Sequence, residues 1–236
     1  MGSFKARSGQ ILPTKFVMKI LLCLILSIAP FLASVAAEPV AEVAKEWVLF
    51  DGKSLDDWEP VDVGGSGTVE VDSGNLIINL GEGVGGAVYK KAATLPVTNY
   101  EITLEAQRLS GVDFFCGLTF PVGDLKTCAT LICGGWGGSV TGISSIDDLD
   151  AANNATGTYQ RYEDEKWYKI RMRVTPENLS AWVDDKQVVD IDIKDRKISV
   201  RPGPIESYLP LSVTSYNTAA AFRNIKMKKL PNSTSK

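Results

Sequence analysis

The sequence predicts an all-β protein, a sandwich of two antiparallel sheets. Three observations point there. About a dozen short segments alternate apolar and polar residues or run apolar for a strand's length. Turn residues separate them every several positions. No segment carries the spacing of a long amphipathic helix. Sheet-on-sheet packing would then bury the apolar faces.

In chain order, residues 1–37 come first. They hold Lys5, Arg7, Lys15 and Lys19 and no acid, then an apolar run from Ile20 to Ala37 broken by Pro30. Small residues close it at Ser34-Val35-Ala36-Ala37. This reads as a secretory signal peptide over 1–37, compacted to Met18–Ala37 if translation starts at Met18. The apolar run is short for a membrane span, so no stable membrane insertion is expected after cleavage. Cys23 lacks the small residue expected before a lipidated cysteine. Residues 38–44 read as a short linker, 45–231 as one sandwich domain and 232–236 as a C-terminal tail. The protein is expected to be secreted or periplasmic.

Trp47–Phe50 is a short strand, Asp51-Gly52-Lys53 a turn, and Leu55 and Trp58 plugs at the end of a sandwich. Thr68–Val71 and Leu76–Leu80 flank Asp72-Ser73-Gly74-Asn75, a hairpin signal. Gly81–Gly86 superficially resembles a phosphate cradle, but a strand and not a helix follows it (Gly85–Lys90).

Three strands then lead into a glycine-framed tryptophan. In the first, Tyr100, Ile102, Leu104 and Ala106 alternate with Glu101, Thr103, Glu105 and Gln107. The second runs Phe114–Phe120 and the third Thr127–Cys133, followed by Gly134-Gly135-Trp136-Gly137-Gly138. A symmetric turn over Pro121–Lys126 would set Phe120 opposite Thr127, Cys116 opposite Leu131 and Asp113 opposite Gly134. Phe114, Cys116, Leu118 and Phe120 would then share the greasy face. Phe115, Gly117, Thr119, Cys128 and Thr130 would share the open one, with Asp113 and Trp136 at its end. Pairing of Gln107 with Asp113 across the Arg108–Val112 turn would add Glu105 and Gln107 to that end. A floor of small residues edged by carboxylates and an indole suits a sugar; an ordinary solvated face is the alternative.

A polar loop, Ser144 to Tyr159, holds Asp147, Asp148, Asp150, Asn153 and Asn154 without calcium-loop spacing. No cofactor and no metal are expected; a structural calcium ion in this loop is the minor reading. Trp167–Val174 alternates cleanly. Leu179–Val183 and Gln187–Ile191 are joined by Asp184-Asp185-Lys186. Asp190 and Asp192 share a face at a spacing a carboxylate pair could use, or simply a solvated edge. Leu209–Ser215 and Ala220–Lys228 close the fold.

The chain contains no histidine. That excludes Ser-His-Asp and Cys-His nucleophiles, two-histidine zinc helices and histidine proton relays. Acid–base work must fall to Asp, Glu, Tyr or Lys, which glycoside chemistry can use. After cleavage at Ala37, 21 basic residues face 28 acidic ones, a charge of −7. With no basic stripe, a nucleic-acid partner is not expected. Lys226, Lys228 and Lys229 read as a solvated strand edge. Cys116, Cys128 and Cys133 are an odd set and are expected as buried thiols, with Cys116 and Cys133 diagonal on the core face.

The opening Trp47-Val48-Leu49-Phe50-Asp51-Gly52-Lys53-Ser54-Leu55-Asp56-Asp57-Trp58 resembles the start of the 3-keto-disaccharide hydrolase family. The ending Phe222-Arg223-Asn224-Ile225-Lys226-Met227-Lys228-Lys229-Leu230 is similar to its closing strand. Together they bracket about residues 45–231. The resemblance implies a concanavalin-A-like jelly-roll β-sandwich of two antiparallel sheets, secreted or periplasmic, with carbohydrate as its partner. Trp167-Tyr168-Lys169-Ile170 and Ala181-Trp182-Val183-Asp184-Asp185 also look like a hairpin of laminin-G-like and lectin-like domains. Glu105 is the one family position carried over, as an acid or base; Gln107 stands where an arginine would be. The Glu-x-Asp-x-x-Glu signature of jelly-roll glucanases is absent.

Two functions follow as expectations. In the first, a hydrolase of glycosides or 3-keto-glycosides uses Glu105 and Asp113 as acid and base. Gln107, Phe115 and Trp136 contact the sugar. Oxidation at the sugar's third carbon acidifies the neighbouring hydrogen, so one modest base can start elimination. In the second, the same sandwich is a non-catalytic carbohydrate-binding or surface-interaction module.

Overall fold

The computed structural model describes residues 45–231. The expected signal peptide (1–37), linker (38–44) and tail (232–236) lie outside the described residues. Fifteen strands run through the described part. They are β1 (Glu46–Val48), β2 (Trp58–Val61), β3 (Val69–Asp72), β4 (Asn75–Ile78) and β5 (Val84–Tyr89). There follow β6 (Tyr100–Gly111), β7 (Cys116–Val122), β8 (Asp124–Gly134), β9 (Val140–Ser144) and β10 (Thr158–Tyr159). The last are β11 (Trp167–Val174), β12 (Asn178–Val183), β13 (Lys186–Asp192), β14 (Ser212–Tyr216) and β15 (Thr218–Lys229). Helical turns are short: Ala92–Thr94, Gly135–Gly138 and Pro204–Tyr208. Among the described residues no helix is long and apolar enough to cross a membrane.

The strands form two antiparallel sheets. One has the order β13-β12-β11-β6-β15-β4-β3, with β1 also on β15; the other is β10-β9-β8-β7-β14-β5-β2. Every non-consecutive neighbour is a crossover between distant parts of the chain, the pattern of a jelly roll. The alternation read from the sequence decides which face goes in. In β6, Tyr100, Ile102, Leu104 and Ala106 are buried while Glu101, Thr103, Glu105 and Gln107 are partly open. In β11, Tyr168, Ile170, Met172 and Val174 are buried. From the second sheet Cys116, Leu118, Phe120, Ala129, Leu131 and Ile143 meet them in one core. Trp58 closes one end, its indole N–H donating to the Leu49 carbonyl at 2.8 Å.

The β7–β8 register corrects the symmetric-turn expectation. Cys116 faces Cys133, Gly117 faces Ile132 and Thr119 faces Thr130. The turn is tight, with Val122 opposite Asp124 around Gly123 at φ +81°. Asp124 Oδ1 accepts the Lys126 and Thr127 N–H groups, each at 2.7 Å, which draws residues expected in the turn into the strand. The slip is two residues, so every side chain keeps its face. Cys116 and Cys133 are direct partners, not diagonal ones, and all three described cysteines are free and buried.

A second correction concerns β6 and β7. They do not pair; they belong to different sheets. Gln107 lies in register with Trp167 and Ala221, not with Asp113. Arg108–Gly111 is therefore the end of β6, paired with β15 and not a hairpin turn, and the crossing to the other sheet falls at residues 112–115.

Candidate functional site

The outer face of the β7-containing sheet carries a cavity of about 400 Å³. Its floor is Thr130, Ile132 and Ser144, side chains that alternate with core residues of β8 and β9. Phe114 and Tyr216 form one wall, their rings 5.9 Å apart and 24° from parallel. Trp136 stands at the rim, 38% exposed.

Trp136 is presented by an unusual backbone. Its φ is +50°, and Gly134, Gly137 and Gly138 around it also have positive φ. With Trp136 already in this costly region, glycine at the three neighbouring left-handed positions spares the backbone further strain, which explains the glycine frame. Asp113 fastens this loop. Its Oδ2 accepts the Gly137 N–H at 3.0 Å and its Oδ1 the Phe114 N–H at 2.8 Å. The structure thus brings Asp113, Phe114 and Trp136 together at one cavity.

Phe115 is elsewhere. It is fully buried, 4.9 Å from the Tyr162 ring and 5.8 Å from the Tyr168 ring. The expected substrate contact is a core residue, whose burial stabilises the fold by about 1.5–3 kcal/mol. The reason is local. β7 begins at Cys116, so the period of two does not extend back to Phe114, and the two phenylalanines exchange roles.

Glu105 and Gln107 are also elsewhere. They point from the outer face of the other sheet, so the sandwich core separates them from Asp113. Arg223 grips Glu105 Oε2 with Nε at 2.8 Å and Nη2 at 2.7 Å, and Asn224 donates to Oε1 at 2.9 Å. Partial burial pushes the Glu105 carboxyl up, but the Arg223 and Asn224 hydrogen bonds outweigh it and hold it below the usual carboxylate range. A carboxylate held ionised is a poor proton donor. Arg223 in turn stacks on Trp167, 4.0 Å from the ring centroid. Glu105 and Asp113 therefore cannot share one substrate. The other weighed pair is likewise engaged: Asp190 accepts from Asn178 at 3.0 Å and Asp192 from the Lys194 N–H at 2.7 Å.

The remaining wall of the cavity escaped the sequence reading. It is the strap between β13 and β14, which contributes Arg201, Pro202, Pro204 and Ile205. Ser199 and Ser145 exchange backbone hydrogen bonds at its start. Tyr208, fully buried, anchors its end by donating toward the Val84 and Val61 carbonyls at 3.0 and 3.2 Å. The strap lacks periodicity, so only its Pro-Gly-Pro composition marked it, and that signals a loop without saying what it covers.

The Ser144–Tyr159 loop is held by its own amides. Asn154 donates to the Ile143 and Leu149 carbonyls at 2.7 and 2.9 Å and accepts from Thr156. Among the described residues no group of acidic or cysteine side chains is gathered as a metal site.

Comparison with known structures places the architecture. A Bacillus licheniformis β-glucanase aligns at a TM-score of 0.51, with 10% identity over 81% of this chain and 100% of that one. A Crh5 transglycosylase solved with NAG aligns at 0.55, with 11% identity over 79% and 84%. A Bacillus subtilis carbohydrate-binding module aligns at 0.41, with 13% identity over 73% and 96%, too loosely to carry weight. At such identities the first two show the fold alone, a concanavalin-like sandwich. No curated protein matches. A family model, the 3-keto-alpha-glucoside-1,2-lyase-like domain, matches residues 46–228, from the first residue of β1 to the penultimate residue of β15. On that match the chain belongs to the 3-keto-disaccharide hydrolase family.

Proposed function

We propose that this is a secreted carbohydrate-active protein that holds a saccharide in the cavity beside Trp136 and cleaves 3-keto-glycosides there by elimination. One observation carries the reading: Asp113 is the carboxylate among the cavity's lining residues, set between Phe114 and Trp136. Hydrolysis by paired carboxylates needs two acids flanking one bond. Elimination needs one base. Asp113 would take the hydrogen on the carbon next to the ketone; the electron pair left behind forms the enolate. Collapse of that enolate breaks the glycosidic carbon–oxygen bond, and the departing oxygen takes a proton from solvent. Addition of water across the new double bond then gives the free keto sugar. Trp136 offers a flat apolar face for the sugar ring.

A second reading, a non-catalytic carbohydrate-binding module, is favoured by a specific contact. Both Asp113 oxygens already accept backbone N–H groups, as in a carboxylate whose task is to shape a loop. One experiment separates the two. The purified protein is offered a panel of disaccharides and their 3-keto forms. The first reading expects free sugar from the 3-keto forms, lost in Asp113→Asn while saccharide binding persists. No release from any substrate, with saturable binding that Trp136→Ala abolishes, establishes the second.

A further inference from the structure

The arginines of this protein fall into two groups. Seven lie among the described residues. Five are paired with a carboxylate: Arg108 with Asp164, Arg171 and Arg173 with Glu101, Arg196 with Asp147, and Arg223 with Glu105. Arg161 and Arg201 have no carboxylate partner among the described residues. In an acidic chain, with carboxylates to spare, both unpaired guanidinium groups line cavities flanking the Trp136 loop. Arg161 faces the one bounded by Gly137, Gly138 and Ser139. Arg201 faces the candidate site itself.

Arg201 is also well placed. Its guanidinium carbon lies over the Trp136 ring, 5.9 Å from the ring centre. Pro202 follows it and Pro204 lies two residues further on, which limits the backbone of the strap. The Ser145–Ser199 hydrogen bonds and the buried Tyr208 fix the strap on either side. The backbone that carries the cation is thus constrained, with the exposed guanidinium beside the aromatic rim, while the cavity's carboxylate is turned to the Phe114 and Gly137 amides.

Building on the carbohydrate reading above, we infer that the cavity selects a saccharide with an anionic substituent, with Arg201 as the specificity-determining residue. A uronate carboxylate and a sulfate ester share the chemistry: planar or forked oxygens that accept two guanidinium N–H bonds. The sugar ring rests against Trp136 and the anion reaches Arg201. A neutral sugar at the same place would leave that donor fork to water.

The test is calorimetric binding of three matched β-linked glucose disaccharides to the purified protein: neutral, with a carboxylate at the sixth carbon, and with a sulfate there. The expected result is tighter binding of one or both anionic forms by about ten- to a hundredfold. Arg201→Gln should bring the anionic forms down to the neutral level, and Arg201→Lys should restore part of the difference. Thermal unfolding of each variant checks that the fold is intact. Which anionic form gains more distinguishes carboxylate from sulfate. Equal binding of all three sugars, or a preference that survives Arg201→Gln, overturns the inference and leaves the carbohydrate reading standing. Absence of binding to any of the three, and to the 3-keto panel, overturns the carbohydrate reading itself.

Discussion

Asp113 and Gly137 are joined by a 3.0 Å hydrogen bond from the Gly137 amide to Oδ2, the contact that fixes the loop immediately after Trp136. The other oxygen of the same carboxylate holds the Phe114 amide at 2.8 Å. Hydrogen bonds to a charged acceptor are worth about 1.5–3 kcal/mol each when desolvated, and less at a half-open site. Asp113→Ala should therefore lower stability by about 1–3 kcal/mol and weaken saccharide binding through the displaced indole. Asp113→Asn keeps a carbonyl oxygen and should lose less. Denaturant midpoints of the two variants measure this; an alanine variant as stable as the parent would show that the loop does not rest on this carboxylate.

Glu105→Gln should behave as a structural change on the far face of the sandwich. It loses the two-pronged contact with Arg223, a partly exposed pair worth about 1 kcal/mol, and leaves any turnover at the Trp136 cavity in place. The pH dependence follows from the lowered carboxyl. Below its folded-state value the group is protonated in folded and unfolded chains alike, and the contribution is gone. Above the ordinary value of 4.5 it is fully present. The stability gap between parent and variant should be constant near neutrality and close as the pH drops below about 4.5. A gap that persists into stronger acid would contradict the assignment.

What the sequence revealed and what it hid divide along a physical line. Period-two alternation in β6 and β11 gave the buried faces, because burial is local to each residue. The even-numbered slip between β7 and β8 did no harm to those faces, so Thr119 and Thr130 could be placed outward together from the wrong register. They meet at 2.9 Å. Which strands become neighbours is a different matter. Tyr100–Gln107 and Phe114–Phe120 are close in sequence, yet β6 pairs with β11 and β15 while β7 pairs with β8 and β14. Nothing local encodes that crossing, and with it went the idea that Glu105 and Asp113 share a site. β9 was also missed, since Gly142 interrupts its apolar pattern. The glycine is there because the returning Thr156 carbonyl would lie 3.0 Å from a Cβ.

Gly117→Ala should damage the cavity specifically. A Cβ there would come within 2.3 Å of Thr214 Oγ1 and 2.9 Å of the Phe114 ring. Thr214 cannot simply yield, because its hydroxyl donates to the Gly117 carbonyl at 3.1 Å. Overpacking of this kind costs about 1–3 kcal/mol. The Phe114–Tyr216 stack should shift with it, so saccharide affinity should fall together with the melting temperature. Loss of stability with unchanged affinity would remove Phe114 from the binding wall.

The three described cysteines should be chemically silent in the folded protein. Cys116 and Cys133 face each other across β7 and β8 in the core. The thiol contact with Cys133, then burial, pushes the Cys116 thiol well above its usual value. Burial, then the Asp124 carboxylate, pushes Cys128 up to about 11. At pH 8, three units below that, about one Cys128 in a thousand is the reactive thiolate. Alkylation by iodoacetamide at pH 8 should thus leave Cys116, Cys128 and Cys133 unmodified in the native state and label each of them after unfolding, as read by peptide mass mapping. Because the folded value of Cys128 is raised, its neutral thiol contributes stability that is fully present below the ordinary value near 9. That contribution fades as the pH climbs towards 11. Rapid native labelling of Cys128 at pH 8 would mean that the Asp124 turn opens far more readily than its paired amides suggest.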